Sequence, residues 1–349
     1  MKTPRGTTGT IVEKTGSFAS RHPALLLGTA AAALSAVWVA QRARKAERDN
    51  PAEGKFIEVD GVKLHYRERG RGPAVVLLHG NAVSLQDFVG SGVFDKLAAR
   101  CRVIAFDSPG FGHSERPRDR LWTASAQAEL LHKAFALLDI EKPVVVGHSW
   151  GTLIALGLAL DHQPDLRGLV LISGYYYPTL RFDAPLAVPV ALPIVGDVMR
   201  YTVTPLAMRA TLNGAIKTMF APRPVPRDYF DPVSRELMLR PSQLRAVAED
   251  AAFMVPAASS FHERYGELQL PVTILAGGED KVIDPQANSC ALHRDLPHSD
   301  LKVFPGVGHM LHYAEPDDVV AAVERMVFPA SVAPLDQTPV DRLRAVSGS

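Results

Sequence analysis

The 349-residue sequence predicts an α/β fold, a mainly parallel sheet with helices on both faces, carrying a helical cap insertion. Three observations carry that expectation. Short aliphatic runs of strand length alternate with longer stretches of helix formers, the pattern of parallel strands joined by helical crossovers. One run, Val144-Val145-Val146, leads through Gly147-His148-Ser149-Trp150-Gly151 directly into the apolar stretch 153–160, which reads as strand, sharp turn and buried helix. Residues 175–270 carry many prolines and no clear strand, and a structureless loop of that length is foreign to a compact domain.

Taken in order, residues 1–22 form a basic segment, with Lys2, Arg5, Lys14 and Arg21 against Glu13. Residues 23–40 contain no charge. As a helix they would span about 27 Å, close to the roughly 30 Å of a hydrocarbon core, and Trp38 would suit the interfacial belt. The expectation is a single-pass membrane anchor. The basic cluster Arg42, Arg44, Lys45 and Arg48 after it favours a cytoplasmic placement of the folded domain. A cleaved signal peptide ending near Leu34-Ser35-Ala36 competes, but the same basic cluster resists translocation. A packed helix is the third reading, and an apolar stretch without a polar stripe argues against it.

Residues 41–54 read as a linker, so a domain is placed at 55–328. Runs 56–59 and 62–67 alternate at period two around Asp60-Gly61 and predict a hairpin. Further strands are expected at 74–78, 102–106, 144–146, 169–172, 272–275 and 301–304, with helices at 124–138 and 316–327. The cap spans about 175–265, with helical stretches near 198–216 and 243–254. Its Tyr175, Tyr176, Tyr177, Phe220 and Phe253 either line a pocket or fill a core. Residues 329–349, polar and with Pro334 and Pro339, read as a flexible tail.

Composition narrows the function classes. Hydrophobic residues make up 47% and charged residues 21%, a globular balance, and the net charge of +1 makes no electrostatic case for nucleic acid. Cys101 and Cys290 lie in no ligand pattern, so neither a disulfide framework nor a zinc site is expected.

The chemistry gathers at predicted strand ends. Glycines at 147 and 151 would let the turn around Ser149 tighten until its hydroxyl stands clear of the sheet. A serine nucleophile needs a base, a carboxylate to orient that base, and donors for the oxyanion. After strand 272–275 comes Gly277-Gly278-Glu279-Asp280, and Asp280 is the expected acid. Asp284, directly before Pro285, reads as a turn residue, and Glu279 as solvated. After strand 301–304, the glycine-rich loop Pro305-Gly306-Val307-Gly308-His309 offers His309 as base, with His312 outside the reacting groups. The oxyanion hole is expected from the backbone N–H groups of Trp150 and Asn81, with His79 structural. The Trp150 side chain either walls an acyl pocket or packs in the core.

His79-Gly80-Asn81, Asp107-Ser108-Pro109-Gly110-Phe111-Gly112-His113-Ser114, Gly147-His148-Ser149-Trp150-Gly151, the Asp280 loop and Gly308-His309 together resemble the α/β-hydrolase superfamily over residues 56–328. The resemblance is to its capped branch. It implies the α/β-hydrolase fold, no metal and no organic cofactor, and a structural role for 107–114. Epoxide hydrolases and haloalkane dehalogenases of that branch use an aspartate where Ser149 stands. Their alkyl-enzyme ester is cleaved by water, whereas a serine would be left as an ether, so those activities are disfavoured. The expected function is a serine hydrolase cleaving a small apolar carboxylic ester through an acyl-enzyme. A carbon–carbon bond hydrolase or an amidase would use the same triad. Outside the enzymes, a ligand-binding scaffold without turnover is the alternative.

Overall fold

Asp60 and Gly61 both take positive φ, 49° and 73°, as a two-residue hairpin turn requires. They join β1 (Lys55–Val59) antiparallel to β2 (Val62–Arg69), where the sequence placed its hairpin. This computed structural model describes residues 23–179 and 184–329, so the expected basic segment 1–22 and the tail beyond residue 329 lie outside it.

Six further strands complete the sheet: β3 (Ala74–Leu78), β4 (Arg102–Phe106), β5 (Val144–His148), β6 (Gly168–Ile172), β7 (Val272–Gly277) and β8 (Asp300–Phe304). The order is β1-β2-β4-β3-β5-β6-β7-β8. β2 meets β4 antiparallel, and every later pairing is parallel. β3, β5, β6 and β7 are buried along their whole length, which is why they read as unbroken aliphatic runs. Alternate residues serve opposite faces. Val76, Leu78 and Val145 enter one core cluster, while Val75, Leu77, Val144 and Val146 enter another.

In chain order the helices are α1 (Pro23–Asp49), α2 (Gln86–Gly90), α3 (Val93–Ala98), α4 (Ala124–Leu137), α5 (Trp150–His162), α6 (Ala184–Ala191) and α7 (Val195–Tyr201). There follow α8 (Val203–Phe220), α9 (Arg235–Met238), α10 (Pro241–His262), α11 (Ser289–Asp295), α12 (Leu311–Ala314) and α13 (Pro316–Val327). α4 and α5 cover one face through Leu130, Leu131, Leu153 and Leu156. α2, α3 and α13 cover the other through Phe88, Phe94, Leu97, Val319 and Val323. Between β6 and β7 stand α6 to α10, the helical insertion. The stretch expected as one helix at 198–216 breaks at Thr202, whose φ and ψ of −125° and −86° are not helical. Tyr175 and Tyr176 pack into the main core, and Phe220 joins Val83, Tyr229 and Met310 in a smaller cluster under the insertion.

The expected membrane anchor at 23–40 is corrected by the structure. No helix among the described residues is long and apolar enough to cross a membrane. The apolar run is only the first part of α1, which continues unbroken through Arg42, Arg44, Lys45, Glu47 and Arg48 to Asp49. Most of the expected linker is therefore helix. From Ser35 onward α1 packs on the insertion. Val39 and Ala46 are buried, the Ser35 hydroxyl donates to the Thr202 carbonyl at 3.2 Å, and Arg42 and Arg240 reach Glu236 and Glu47 at 3.3 and 3.0 Å. Trp38 lies beneath the guanidinium groups of Arg42 and Arg209. These partners are far away in the chain, so local hydropathy could not reveal them.

Candidate active site

β5 delivers His148 to the sheet's edge and α5 begins two residues later, so one residue must turn the chain. That residue is Ser149, with φ 51° and ψ −116°, a conformation L-residues rarely adopt. Close packing explains the flanking glycines. A Cβ on Gly147 would stand 2.6 Å from the Gly151 carbonyl oxygen, and one on Gly151 would stand 2.2 Å from that of Leu78. The turn is held by Ser149 N–H donating to the Ile172 carbonyl at 3.0 Å. Trp150 opens α5, so its N–H has no acceptor within the helix. Its indole is fully buried in the core cluster, which decides for packing over a pocket wall.

Asp280 follows β7. Its Oδ1 accepts from Val282 N–H and Ile283 N–H at 2.8 and 3.0 Å, and its Oδ2 faces His309 Nδ1 at 2.8 Å. Both side chains are 2% exposed. With backbone donors on one carboxylate oxygen, the other accepts the imidazole proton. His309 therefore carries its proton on Nδ1 and keeps the Nε2 lone pair. Glu279, expected to be solvated, instead accepts from Gly306 N–H and Val307 N–H at 2.6 and 3.1 Å, bracing the loop that ends in His309. Asp284 is the turn residue expected, accepting from Gln286 N–H.

The loop after β3 lies over the serine. A Cβ on Gly80 would come within 3.1 Å of the Ser149 Cβ. His79 is structural, as expected. It accepts from Ser108 N–H on Nε2 at 3.0 Å and so donates from Nδ1 to the Gly80 carbonyl at 2.7 Å. Burial lowers its pKa and keeps the ring neutral. The Asn81 side chain is bound elsewhere, accepting from Ala82 N–H and donating to the Val247 carbonyl on α10, so only its backbone is a candidate donor. Burial raises the Asp107 carboxyl, but His65 at 2.7 Å and Leu85 N–H outweigh burial and hold it below the usual range. That fits a structural role for 107–114.

Sequence reasoning missed a buried network behind these residues. His148 donates from Nε2 to the His309 carbonyl at 3.1 Å, linking the nucleophile turn to the base loop. His312 donates from Nε2 to Asp87 Oδ2 at 2.8 Å, linking α12, which follows the base loop, to α2. Burial first, then His312 and His309, drives the His148 pKa far down, so the ring is neutral. Asp87 and His312 are 225 positions apart, and no local signal joins them. Among the described residues two groups bring three metal-ligating side chains together: buried Asp87, His148 and His312, and surface Glu129, His132 and His162. In the buried group His148 Nε2 is committed to the His309 carbonyl.

The family described as alpha/beta hydrolase fold matches residues 73–316. A Mycobacterium tuberculosis protein described as uncharacterised is 29% identical over 300 residues, covering 82% of this chain and 84% of its own. A 2-hydroxymuconate semialdehyde hydrolase of Pseudomonas putida is 28% identical over 299 residues, covering 82% of this chain and 98% of its own. Among solved structures, an esterase from Exiguobacterium antarcticum superposes with a TM-score of 0.62 at 20% identity, covering 79% of this chain and 99% of the esterase. At that identity the likeness is one of fold.

Proposed function

Because the chain belongs to the alpha/beta hydrolase fold family, we propose that it is a serine hydrolase that cleaves a small, apolar carboxylic ester through an acyl-enzyme. The observation that carries the proposal is the His309–Asp280 pair, which leaves Nε2 of a buried imidazole as a base. It sits at the same C-terminal edge of the parallel strands as Ser149, held at positive φ.

In this reading His309 Nε2 takes the Ser149 hydroxyl proton as Oγ bonds to the substrate carbonyl carbon. The tetrahedral oxyanion accepts from the N–H groups of Trp150 and Asn81, and Asp280 stabilises the imidazolium. The intermediate collapses, the ester C–O bond breaks, and His309 returns the proton to the departing alkoxide. Water, deprotonated by the same imidazole, then releases the acid and restores Ser149. Helices α6 to α10 act as the cap that shapes the pocket and limits water. A second reading is hydrolysis of a carbon–carbon bond beside a ketone with the same residues. The 28% identity to the Pseudomonas putida hydrolase over 98% of that enzyme favours it.

Ser149→Ala tests the proposal. The variant should fold as the parent does, fail to turn over p-nitrophenyl esters, and take up no fluorophosphonate label. Labelling at the parental rate would remove Ser149 as the nucleophile. Parallel assays of a vinylogous diketone and an ester on the parent separate the two readings.

A further inference from the structure

Away from the sheet edge, α4 packs along α5, and their facing surfaces bring two imidazoles and two carboxylates together. Glu129 and His132 are three apart on α4, so they share one face. His162 is the last residue of α5, and Asp165 closes the 3₁₀ turn that follows. The pairs cross between helices: His162 Nε2 meets Glu129 Oε2 at 3.0 Å, and His132 Nε2 meets Asp165 Oδ2 at 2.9 Å. The two rings stack with centroids 3.6 Å apart and planes 7° from parallel.

We propose that Glu129, His132 and His162, supported by Asp165, form a surface site for a divalent transition metal of the zinc, nickel or copper class. Ligand atoms from Glu129, His132 and His162 all lie within 4.8 Å of one another. Bonds of about 2.0–2.2 Å to imidazole nitrogen and carboxylate oxygen span about 4.2 Å across an ion, so small rotamer changes close the set. Mixed imidazole and carboxylate donors suit these metals rather than calcium or magnesium, which take oxygen.

Charge favours a cation. Glu129 and Asp165 bring two negative charges, while the one cation paired to the group among the described residues, Lys133, stands 3.4 Å from Glu129 and is shared with Asp60 at 2.7 Å. Access is direct, because the Glu129 and Asp165 side chains are 50% and 63% exposed. When the ion binds, the ring proton on Nε2 moves to Nδ1 and frees the Nε2 lone pair for the metal. The bound ion would clip α4 to the end of α5, the helix that follows Ser149. The proposal is independent of the reaction catalysed at that serine.

The test is calorimetric titration of the full chain with zinc sulfate or nickel sulfate, with thermal denaturation read alongside. One ion per chain and a raised Tm are expected in the parent and in His298→Gln, which removes an exposed histidine elsewhere. The double variant His132→Gln with His162→Gln should keep the metal-free Tm within a few degrees and lose both the stoichiometric binding and the metal-dependent shift. Asp165→Asn should weaken binding about tenfold by removing one of the two carboxylate charges beside the ion. Stoichiometric binding that survives in the double variant, or no saturable binding by the parent, overturns the proposal.

Discussion

Replacing Asp280 with asparagine isolates what the carboxylate does, because the side chain keeps its shape. In the parent, Oδ1 accepts from two backbone N–H groups and Oδ2 accepts from His309 Nδ1. The amide must place its oxygen toward one set and its NH2 toward the other. Turning the NH2 to Val282 and Ile283 sets donors against donors. That loses two hydrogen bonds of about 1 kcal/mol each and strands the N–H of buried Ile283 at about 1–3 kcal/mol. The cheaper choice turns the NH2 to His309, whose Nδ1 must then accept, and the ring proton shifts to Nε2. The nitrogen proposed as the base becomes a donor. In Ser-His-Asp triads that wrong tautomer costs about 10⁴ in kcat, equivalent to ~5.5 kcal/mol. We expect Asp280→Asn to lose p-nitrophenyl ester turnover and fluorophosphonate labelling by that order, with KM and Tm near the parent's. A loss of less than about tenfold with Tm unchanged would refute the tautomer argument.

Two further outcomes follow from buried groups. His148→Leu should slow labelling of Ser149 by about tenfold, since it removes the N–H that holds the His309 carbonyl. His148→Gln, whose amide N–H reaches a similar position, should recover most of that rate, and equal rates in the two variants would dismiss the link. Asp250 accepts from Arg116 and Gln127 at 2.8 and 3.1 Å, yet burial pushes its carboxyl up to about 6 despite Arg116. A carboxyl raised above its unfolded value binds more protons folded than unfolded. Its share of stability is therefore present at acid pH and lost as pH climbs from about 4 to about 6. Urea unfolding should show the parent losing up to about 3 kcal/mol relative to Asp250→Asn across that window, and parallel pH curves would dismiss the shift.

Much of this architecture was legible because it is written locally. The eight strands are short, apolar and bounded by turn residues, and α13 was legible to the residue because Pro316 opens it and its apolar positions recur at helical spacing. Ser149, Asp280 and His309 stood out because each follows a strand within a glycine-rich turn. What escaped depends on partners distant in the chain. Hydropathy registers that residues 23–40 avoid water, but it says nothing of Thr202, Glu236 and Arg240, on which α1 is docked. Glu279 looked idle because its acceptors are backbone N–H groups 27 and 28 positions on. Asp87 carried no sign of chemistry until folding set it against His312.

The docking of α1 bears on how the protein should be handled at the bench. Trimming everything ahead of the first strand, a common step when an apolar leader hampers expression, would remove Glu47 from beside Arg240 and strip Trp38 from over Arg209. It would leave a guanidinium without its carboxylate and bare the insertion's outer flank to solvent. A shortened enzyme that aggregates or loses activity would then report damage to that flank, and not the failure of the catalytic core to fold.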